Sequence, residues 1–343
     1  MNISIHVGSH SHRDIRNVTE FVQFAESLGV EMAWSAEGWS QDAVTSLAYL
    51  AGQTHQIKLG TGIMQTSARA PAMTAMTALS MASLSDGRFL LGLGTSGPQV
   101  VEGMHNLSFD APLTRLKENV EICRRAFRGE KLEFAGRHYQ MPLPDGEGKA
   151  LRLDFEPTDI PIYLATLGER SLAYTGEVAD GWLGTSFSPD FPEAHLAHIR
   201  RGAERAGRTL ADIDLQTACN VAIGDDVEGL IAAAKPKFAF TLGAMGSAAT
   251  NFYNAAFQRA GFVDDAEAVQ SLWIDGKRDA AAARVPDELV TAFAAIGTPA
   301  MVRDRFKAYA HAGINCLDVR FDLLDITEHF AQLEQTVDLA NSI

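Results

Sequence analysis

Three places in this sequence combine residue types at spacings that could do chemistry. The first is His10-Ser11-His12, which follows an apolar run at the amino terminus. Two imidazoles so close could ligate a divalent metal, but a metal site also needs N or O ligands from later segments. The segments placed to supply them read Ala165-Thr166-Leu167-Gly168 and Thr185-Ser186-Phe187-Ser188, without His. Asp318 and Asp322 cannot replace the missing imidazoles, so no metal is assigned and His10 is kept as a surface or substrate-facing residue. The second place is Glu37, flanked by Trp34 and Trp39. A carboxyl set among indoles gives up hydration, which suits general acid–base work. A salt-bridged or capping glutamate fits the same residue types equally well. The third is Gly92-Leu93-Gly94-Thr95-Ser96-Gly97, formally a G-x-G-x-x-G following a strand-like run. Pro98 follows at once, and no acidic residue closes a second strand about twenty positions on, which argues against a dinucleotide turn. A tight packing turn remains open, and so does a loop whose bare N–H groups meet a phosphate or cofactor edge.

These residues need elements to position them. Met1 to Val7 alternates like a strand, and Val18, Phe21, Val22, Ala25 and Leu28 then recur at helical spacing. Further strands are expected at Val30 to Trp34, Ile57 to Ile63, Arg88 to Leu93, Pro161 to Ala165, Gly181 to Thr185, Leu215 to Ile223 and Cys316 to Phe321. Helices are expected between them. Ser40 reads as an N-cap, Pro71 suits a first helical turn, and Leu113 to Phe127 makes a longer helix. Gly29, Gly87, Gly181 and Gly313 each stand between a helix and the next strand, where a left-handed residue often ends a helix.

Repeated helix–Gly–strand exits imply βα units and a parallel sheet. Eight strands favour an α/β fold of the TIM (β/α)8-barrel type over an open sheet. Two insertions interrupt the count: an irregular excursion over 129–159 and a helical insert over 227–297. Without a Pro/Ser-rich linker, residues 1–343 read as one domain. In a barrel the active site lies at the C-terminal ends of the strands, and all three places above fall there.

Composition narrows the function. The chain has 343 residues, 29 Lys plus Arg against 43 Asp plus Glu, and a net charge of −14. That sign argues against a nucleic-acid partner or an anionic membrane surface. The three cysteines, Cys123, Cys219 and Cys316, are odd in number and far apart, which fits buried thiols in a reducing compartment. No signal peptide and no apolar run of about 18 residues is found, so a cytoplasmic protein acting on a small molecule is expected.

Several segments together resemble the luciferase-like flavin and deazaflavin oxidoreductases. They are Trp34 to Trp39, Ile57 to Ile63, Pro71 to Thr74, Ser85 to Arg88, Leu91 to Gln99, Pro161 to Ala165, Gly176 to Trp182 and Gly297 to Pro299. The wording from Gly94 to Glu102, with Asn251 to Tyr253, is most similar to the coenzyme F420-dependent branch. The resemblance implies the barrel fold and a bulge with a non-prolyl cis peptide at Gly62 and Ile63, followed by Met64 and Gln65, behind a cofactor ring. It implies that Thr95, Ser96, Gly97, Pro98, Gln99 and Val100 hold the ribityl or phosphate region. Ala165, Thr166, Leu167 and Gly168 would meet the phosphate at a helix start. It also implies a homodimer. One departure matters: several deazaflavin members carry Asp-His where this chain has Ala36-Glu37. An imidazole mechanism therefore does not carry over, and Glu37, with His10, is the expected catalytic pair. The expected activity is hydride transfer between F420 and a small organic substrate. The alternative is an FMN-dependent monooxygenase served by a separate reductase. A metal-dependent hydrolase or a non-catalytic barrel is a remote third reading.

Overall fold

The computed structural model describes residues 1–7, 14–38, 41–245, 251–321 and 326–343. Its strands are β1 (Asn2–His6), β2 (Met32–Ser35), β3 (Lys58–Thr61), β4 (Met64–Gln65), β5 (Phe89–Gly94), β6 (Phe134–Ala135), β7 (Gln140–Met141), β8 (Ile162–Ala165), β9 (Gly181–Gly184), β10 (Asp214–Ile223), β11 (Ala294–Gly297) and β12 (Cys316–Arg320). The order β10-β12-β1-β2-β3-β5-β8-β9, with β9 pairing again to β10, closes eight strands into a (β/α)8 barrel. Each of the eight coincides with an expected strand to within about two residues. β2 and β5 are buried along their whole length, as parallel strands covered by helices are, whereas β1 and β12 alternate apolar and polar residues.

The chain divides into two compact units. The smaller holds residues 7–15 and 32–165. In it β2 runs parallel to β3 from Met32 opposite Lys58 to Ser35 opposite Thr61, and β5 pairs β8 from Leu91 opposite Ile162 to Gly94 opposite Ala165. Ser40 lies outside the described residues. The Asp42 carboxylate instead accepts the N–H groups of Val44 and Thr45, each at 2.8 Å, at the start of the helix Val44–Ala51. Pro71 opens the helix Pro71–Leu84 as expected. The excursion over 129–159 is irregular apart from the two-residue β6–β7 pair. It is tied down by one residue the sequence did not single out. Glu118, on the helix Pro112–Phe127, accepts the N–H groups of Arg137, His138 and Tyr139 at 2.7, 2.9 and 3.0 Å.

The larger unit holds residues 1–6, 16–31 and 166–343. There β12 lies between β1 and β10, with Asn2 and Gln216 both opposite Cys316. The expected insert is built of helices Val227–Ala244, Phe252–Arg259, Val263–Ile274, Arg278–Arg284 and Asp287–Phe293 around their own core of Phe238, Leu242, Phe257 and Phe293. Its last residues differ from expectation, because Ala294–Gly297 is a strand that extends the sheet beside β10. Three of the four helix-ending glycines, Gly29, Gly87 and Gly313, are left-handed. Gly181 is not; it opens β9, and the helix before it ends at Ala179 in extended conformation. The three cysteines are buried and unbonded. Among the described residues no helix is long and apolar enough to cross a membrane.

One buried histidine in this unit makes stability depend on pH. His195, on the helix Glu193–Arg205, packs against Trp182 and Phe187 with ring centroids 5.6 and 5.7 Å away. Neither ring nitrogen has a hydrogen-bond partner. Burial first, then the charges of Arg259 and His198, push its pKa from 6.5 down to about 3. Between those values the unfolded chain takes up a proton that the folded one refuses, so stability falls as pH drops below 6.5. His195→Phe removes this term. The variant should lose less stability between pH 7 and pH 5 in urea unfolding, by roughly 1.4 kcal/mol for each pH unit below the unfolded value. Parallel curves for variant and wild type would contradict the assignment.

Candidate active site

The site in the smaller unit starts from a mismatch in strand length. Gly60 pairs Leu90, and pairing resumes with Met64 opposite Leu93. Four steps along one strand thus face three along the other, which is a one-residue bulge at Thr61-Gly62-Ile63. The Thr61 hydroxyl fills the gap in the ladder, donating to Gly92 O at 2.8 Å and accepting from Gly92 N at 2.9 Å. The Gly62–Ile63 peptide bond is cis. The continuation of β2 closes over the bulge from the other side: Gly62 N donates to Ser35 O at 2.7 Å and Glu37 N to Ile63 O at 2.9 Å.

Glycines make room for this arrangement. A Cβ at Gly60 would overlap the ring of Trp34, which is buried and meets Tyr163 edge-on at 5.3 Å. A Cβ at Gly94 would lie 2.9 Å from Cγ1 of Ile63, so the Ile63 side chain stands directly over Gly94. Gly62 and Ile63 keep accessible surface, whereas Met64 is wholly buried and Gln65 nearly so. Met64 and Gln65 therefore support the bulge from below.

Glu37 is the hub of that support. One carboxylate oxygen accepts from Gln65 N at 2.8 Å, and the other is paired with the Arg69 guanidinium. The Gln65 side chain donates to Glu37 O at 3.2 Å, and its Oε1 lies 3.2 Å from Nε2 of His105, which must then be the donor. With its side chain only 7% exposed and both oxygens engaged, Glu37 is placed as a salt-bridged anchor. Arg69 and His105 were not evident in the sequence, because their link to Glu37 depends on the bulge. Trp39 and His10 lie outside the described residues.

The G-x-G-x-x-G stretch is not a nucleotide turn: Gly92 and Gly94 sit inside β5, opposite Tyr163 and Ala165. After them Ser96 is left-handed and Gly97 precedes the short helix Pro98–Gly103. Thr95 to Pro98 and Val100 are half-buried and Gln99 is exposed. Thr95 lines a recess with Thr66, Ser67, Ser108 and Arg115. Ser67 Oγ is buried there without a hydrogen-bond partner. Hydroxyls, the Arg115 guanidinium and the Asp110 carboxylate, with Ser67 Oγ unsatisfied, suit a polyol arm.

In the larger unit, Thr166, Leu167 and Gly168 lead into the helix Glu169–Val178. Thr166's hydroxyl is 2.7 Å from that of Thr175, and Leu167 O accepts from Arg259 Nη2 at 2.7 Å. The side chain of Thr166 is thus committed, and what this stretch offers a ligand is backbone N–H. The same unit carries His6, Asp318 and Arg320 near the C-terminal ends of β1 and β12. Alternation in Ile3-Ser4-Ile5-His6 and Leu317-Asp318-Val319-Arg320 is the signal that could have revealed them. Among the described residues no cluster of three His, Cys, Asp or Glu side chains could hold a metal.

Comparison with known proteins bears on this geometry. Residues 1–316 match the family described as luciferase-like monooxygenase. A Mycobacterium tuberculosis protein with the provisional name coenzyme F420-dependent oxidoreductase Rv3520c is 36% identical over 93% of this chain and 94% of its own length. The coenzyme F420-dependent tetrahydromethanopterin reductase of Methanopyrus kandleri superposes with a TM-score of 0.81, at 24% identity, over 99% of this chain and 98% of that one. The oxygenating constituent of 3,6-diketocamphane monooxygenase from Pseudomonas putida, solved with FMN, superposes with a TM-score of 0.70 at 18% identity, over 100% and 99%.

The anchor reading of Glu37 sets an expectation for stability. Glu37→Gln and Arg69→Met should each cost about 2–4 kcal/mol in urea unfolding, since each leaves its partner buried without a counter-charge. The double variant should cost clearly less than the sum. Additive costs would mean the pair is not coupled.

Proposed function

Since the chain belongs to the luciferase-like monooxygenase family, we propose that it is a coenzyme F420-dependent oxidoreductase. The coarser statement, an oxidoreductase of a family whose members include F420-dependent enzymes and an FMN enzyme, follows from the comparisons. The finer one rests on a relative, and the geometry is compatible with it. The relative bearing the F420 name aligns across nearly the whole chain. The bulge sets Ile63 over Gly94 and leaves Gly62 and Ile63 half-buried, where they could back a planar ring. When bound, the deazaflavin would supply a carbon that accepts or gives a hydride.

The chain's own residues do the binding and positioning. Gly62 and Ile63 would back the ring, held from beneath by Glu37, Arg69 and Gln65. The hydroxyls of Thr66, Ser67 and Thr95, with Arg115, would hold the polar arm, the Ser67 hydroxyl gaining the partner it lacks. The backbone from Thr95 to Val100 borders that recess. In the other unit, the helix start after Thr166, Leu167 and Gly168 offers N–H groups to an anion. Glu37, fixed by its ion pair, serves as an anchor in this reading, so another group must move the proton that accompanies hydride transfer.

Titration of the apo-protein with F420 and, separately, with FMN tests the cofactor. F420 is expected to bind at least tenfold more tightly, a difference of about 1.4 kcal/mol. The reverse order would move the enzyme to the FMN monooxygenases, and binding of neither would end the proposal. Gly94→Ala, whose methyl would press on Ile63, should weaken F420 binding by about tenfold or more (roughly 1.4 kcal/mol) while the barrel still folds. Unchanged affinity would remove Ile63 as the ring support.

A further inference from the structure

Within the smaller unit, the excursion over 129–159 returns to the recess that Ser67 and Thr95 line. Its hairpin pairs Ala135 with Gln140 and turns through Gly136, Arg137, His138 and Tyr139, with Gly136 N donating to Tyr139 O at 2.8 Å. The buried Glu118 carboxylate accepts the N–H groups of Arg137, His138 and Tyr139. Three charge-assisted hydrogen bonds to one carboxylate hold the backbone of the turn. Glycine at 136 allows the approach, since a Cβ there would lie 2.5 Å from the Glu118 carboxyl carbon.

With the turn held, two of its side chains reach two walls of the recess. Arg137 Nη2 donates to Oδ2 of Asp110 at 2.5 Å. The Tyr139 hydroxyl accepts from Arg115 Nη1 at 3.5 Å and from Asn119 Nδ2 at 3.3 Å. The Arg115 guanidinium carbon also lies 5.9 Å from the centroid of the Tyr139 ring, within cation–π range. Asp110 and Arg115 both line the recess, with Thr66, Ser67, Thr95 and Ser108. The Arg137 and Asp110 side chains are 59% and 54% exposed, and so open an ion pair adds little to stability. Its consequence is where it puts the Asp110 carboxylate, between Phe109, whose N–H donates to Glu102 at 3.0 Å, and the left-handed Ala111.

We propose that the turn over 136–139 positions the cofactor's neutral polyol chain from a distance: Tyr139 holds Arg115, and Arg137 holds Asp110, where they meet adjacent hydroxyls of that chain. This rests on the reading above, in which the recess takes the polar arm of the cofactor. A polyol is the class that matches the walls. Each of its hydroxyls both donates and accepts; the Asp110 carboxylate only accepts, and the Arg115 guanidinium only donates. Ser67 Oγ, buried without a partner, can do either. A phosphate in the same place would face the Asp110 carboxylate and be repelled, so the charged end of the arm lies beyond the recess.

Tyr139 and Arg137 act through their partners, so they are positioning residues. A long arginine side chain that samples many rotamers gives up that freedom when it binds a ligand. One already laid across a tyrosine ring gives up less, and its contact with the phenol oxygen uses only one of five N–H groups. The buried anchor at Glu118 keeps both contacts in register, because it fixes the backbone that carries the two side chains.

The test compares dissociation constants of two probes on the full chain. One is the deazaflavin ring bearing a ribityl chain that ends in a free hydroxyl; the other is the same ring with a methyl group instead. Tyr139→Phe should raise the constant of the first about fivefold and leave that of the second within about twofold. Tyr139→Leu, which also loses the ring contact, should raise the first further. Arg137→Met should raise it about threefold, and Arg137→Lys, which keeps a charge for Asp110, should restore most of that. A merely structural role would weaken both probes alike; that result, or unchanged affinity in Tyr139→Phe, overturns the proposal. If wild type binds riboflavin and not the deazaflavin, the F420 reading falls, and riboflavin with lumiflavin gives the same comparison. If it binds neither ring, the cofactor reading falls, and ribitol added to ¹⁵N-arginine-labelled apo-protein decides. Movement of the Arg115 Nε signal, identified by its loss in Arg115→Met, would support the polyol site, and an unmoved signal would overturn it.

Discussion

The candidate site depends on a single surplus residue. Between Gly60 and Met64 the chain takes four steps where β5 takes three, and a parallel ladder cannot absorb the difference. The structure meets it with one side chain, the Thr61 hydroxyl bridging to Gly92, and one borrowed strand end, where Ser35 O and Glu37 N receive and supply the bonds of the bulge. Everything proposed for the ring-binding surface follows from that accommodation. It sets Ile63 over Gly94, requires glycine at Gly94 for space, and buries Met64 and Gln65 beneath.

Buried polar groups are closed in some places and open in others, in both units. In the smaller unit Glu37 is closed off by Arg69 and Gln65, and Glu118 by three backbone N–H groups, whereas Ser67 Oγ is left open. Such closed networks fix geometry and leave little capacity for proton exchange. In the larger unit, His6, Asp318 and Ser4 retain unmatched atoms on one strand face. Closed carboxylate networks and unmatched polar atoms thus fall on different sets of residues.

The comparisons and the geometry inform different questions. The fold is shared with an F420 enzyme and with an FMN enzyme, so fold alone does not choose a cofactor. The donor set around Ser67 and Arg115 speaks to a polar arm common to both. The relative with the F420 name, aligned over most of the chain, tilts the reading toward the deazaflavin.

The sequence by itself determined the eight strands, the helices between them and the two insertions, because apolar periodicity and glycine stops are local properties of the chain. It also located the strand ends at Glu37, Gly62 and Thr95, since in a barrel chemistry gathers there. What it could not determine was the state of Glu37. Its carboxylate is spoken for by Arg69, thirty-two residues away, through a contact that exists only once the bulge has turned the chain. The same limit hid the joining of Ser4 and His6 to Asp318 and Arg320, more than three hundred residues apart, although the alternation of each strand was in plain view. Neighbours across a parallel sheet are set by register, and register is a property of the closed barrel, so only the tertiary structure decided which polar residues would be left facing one another.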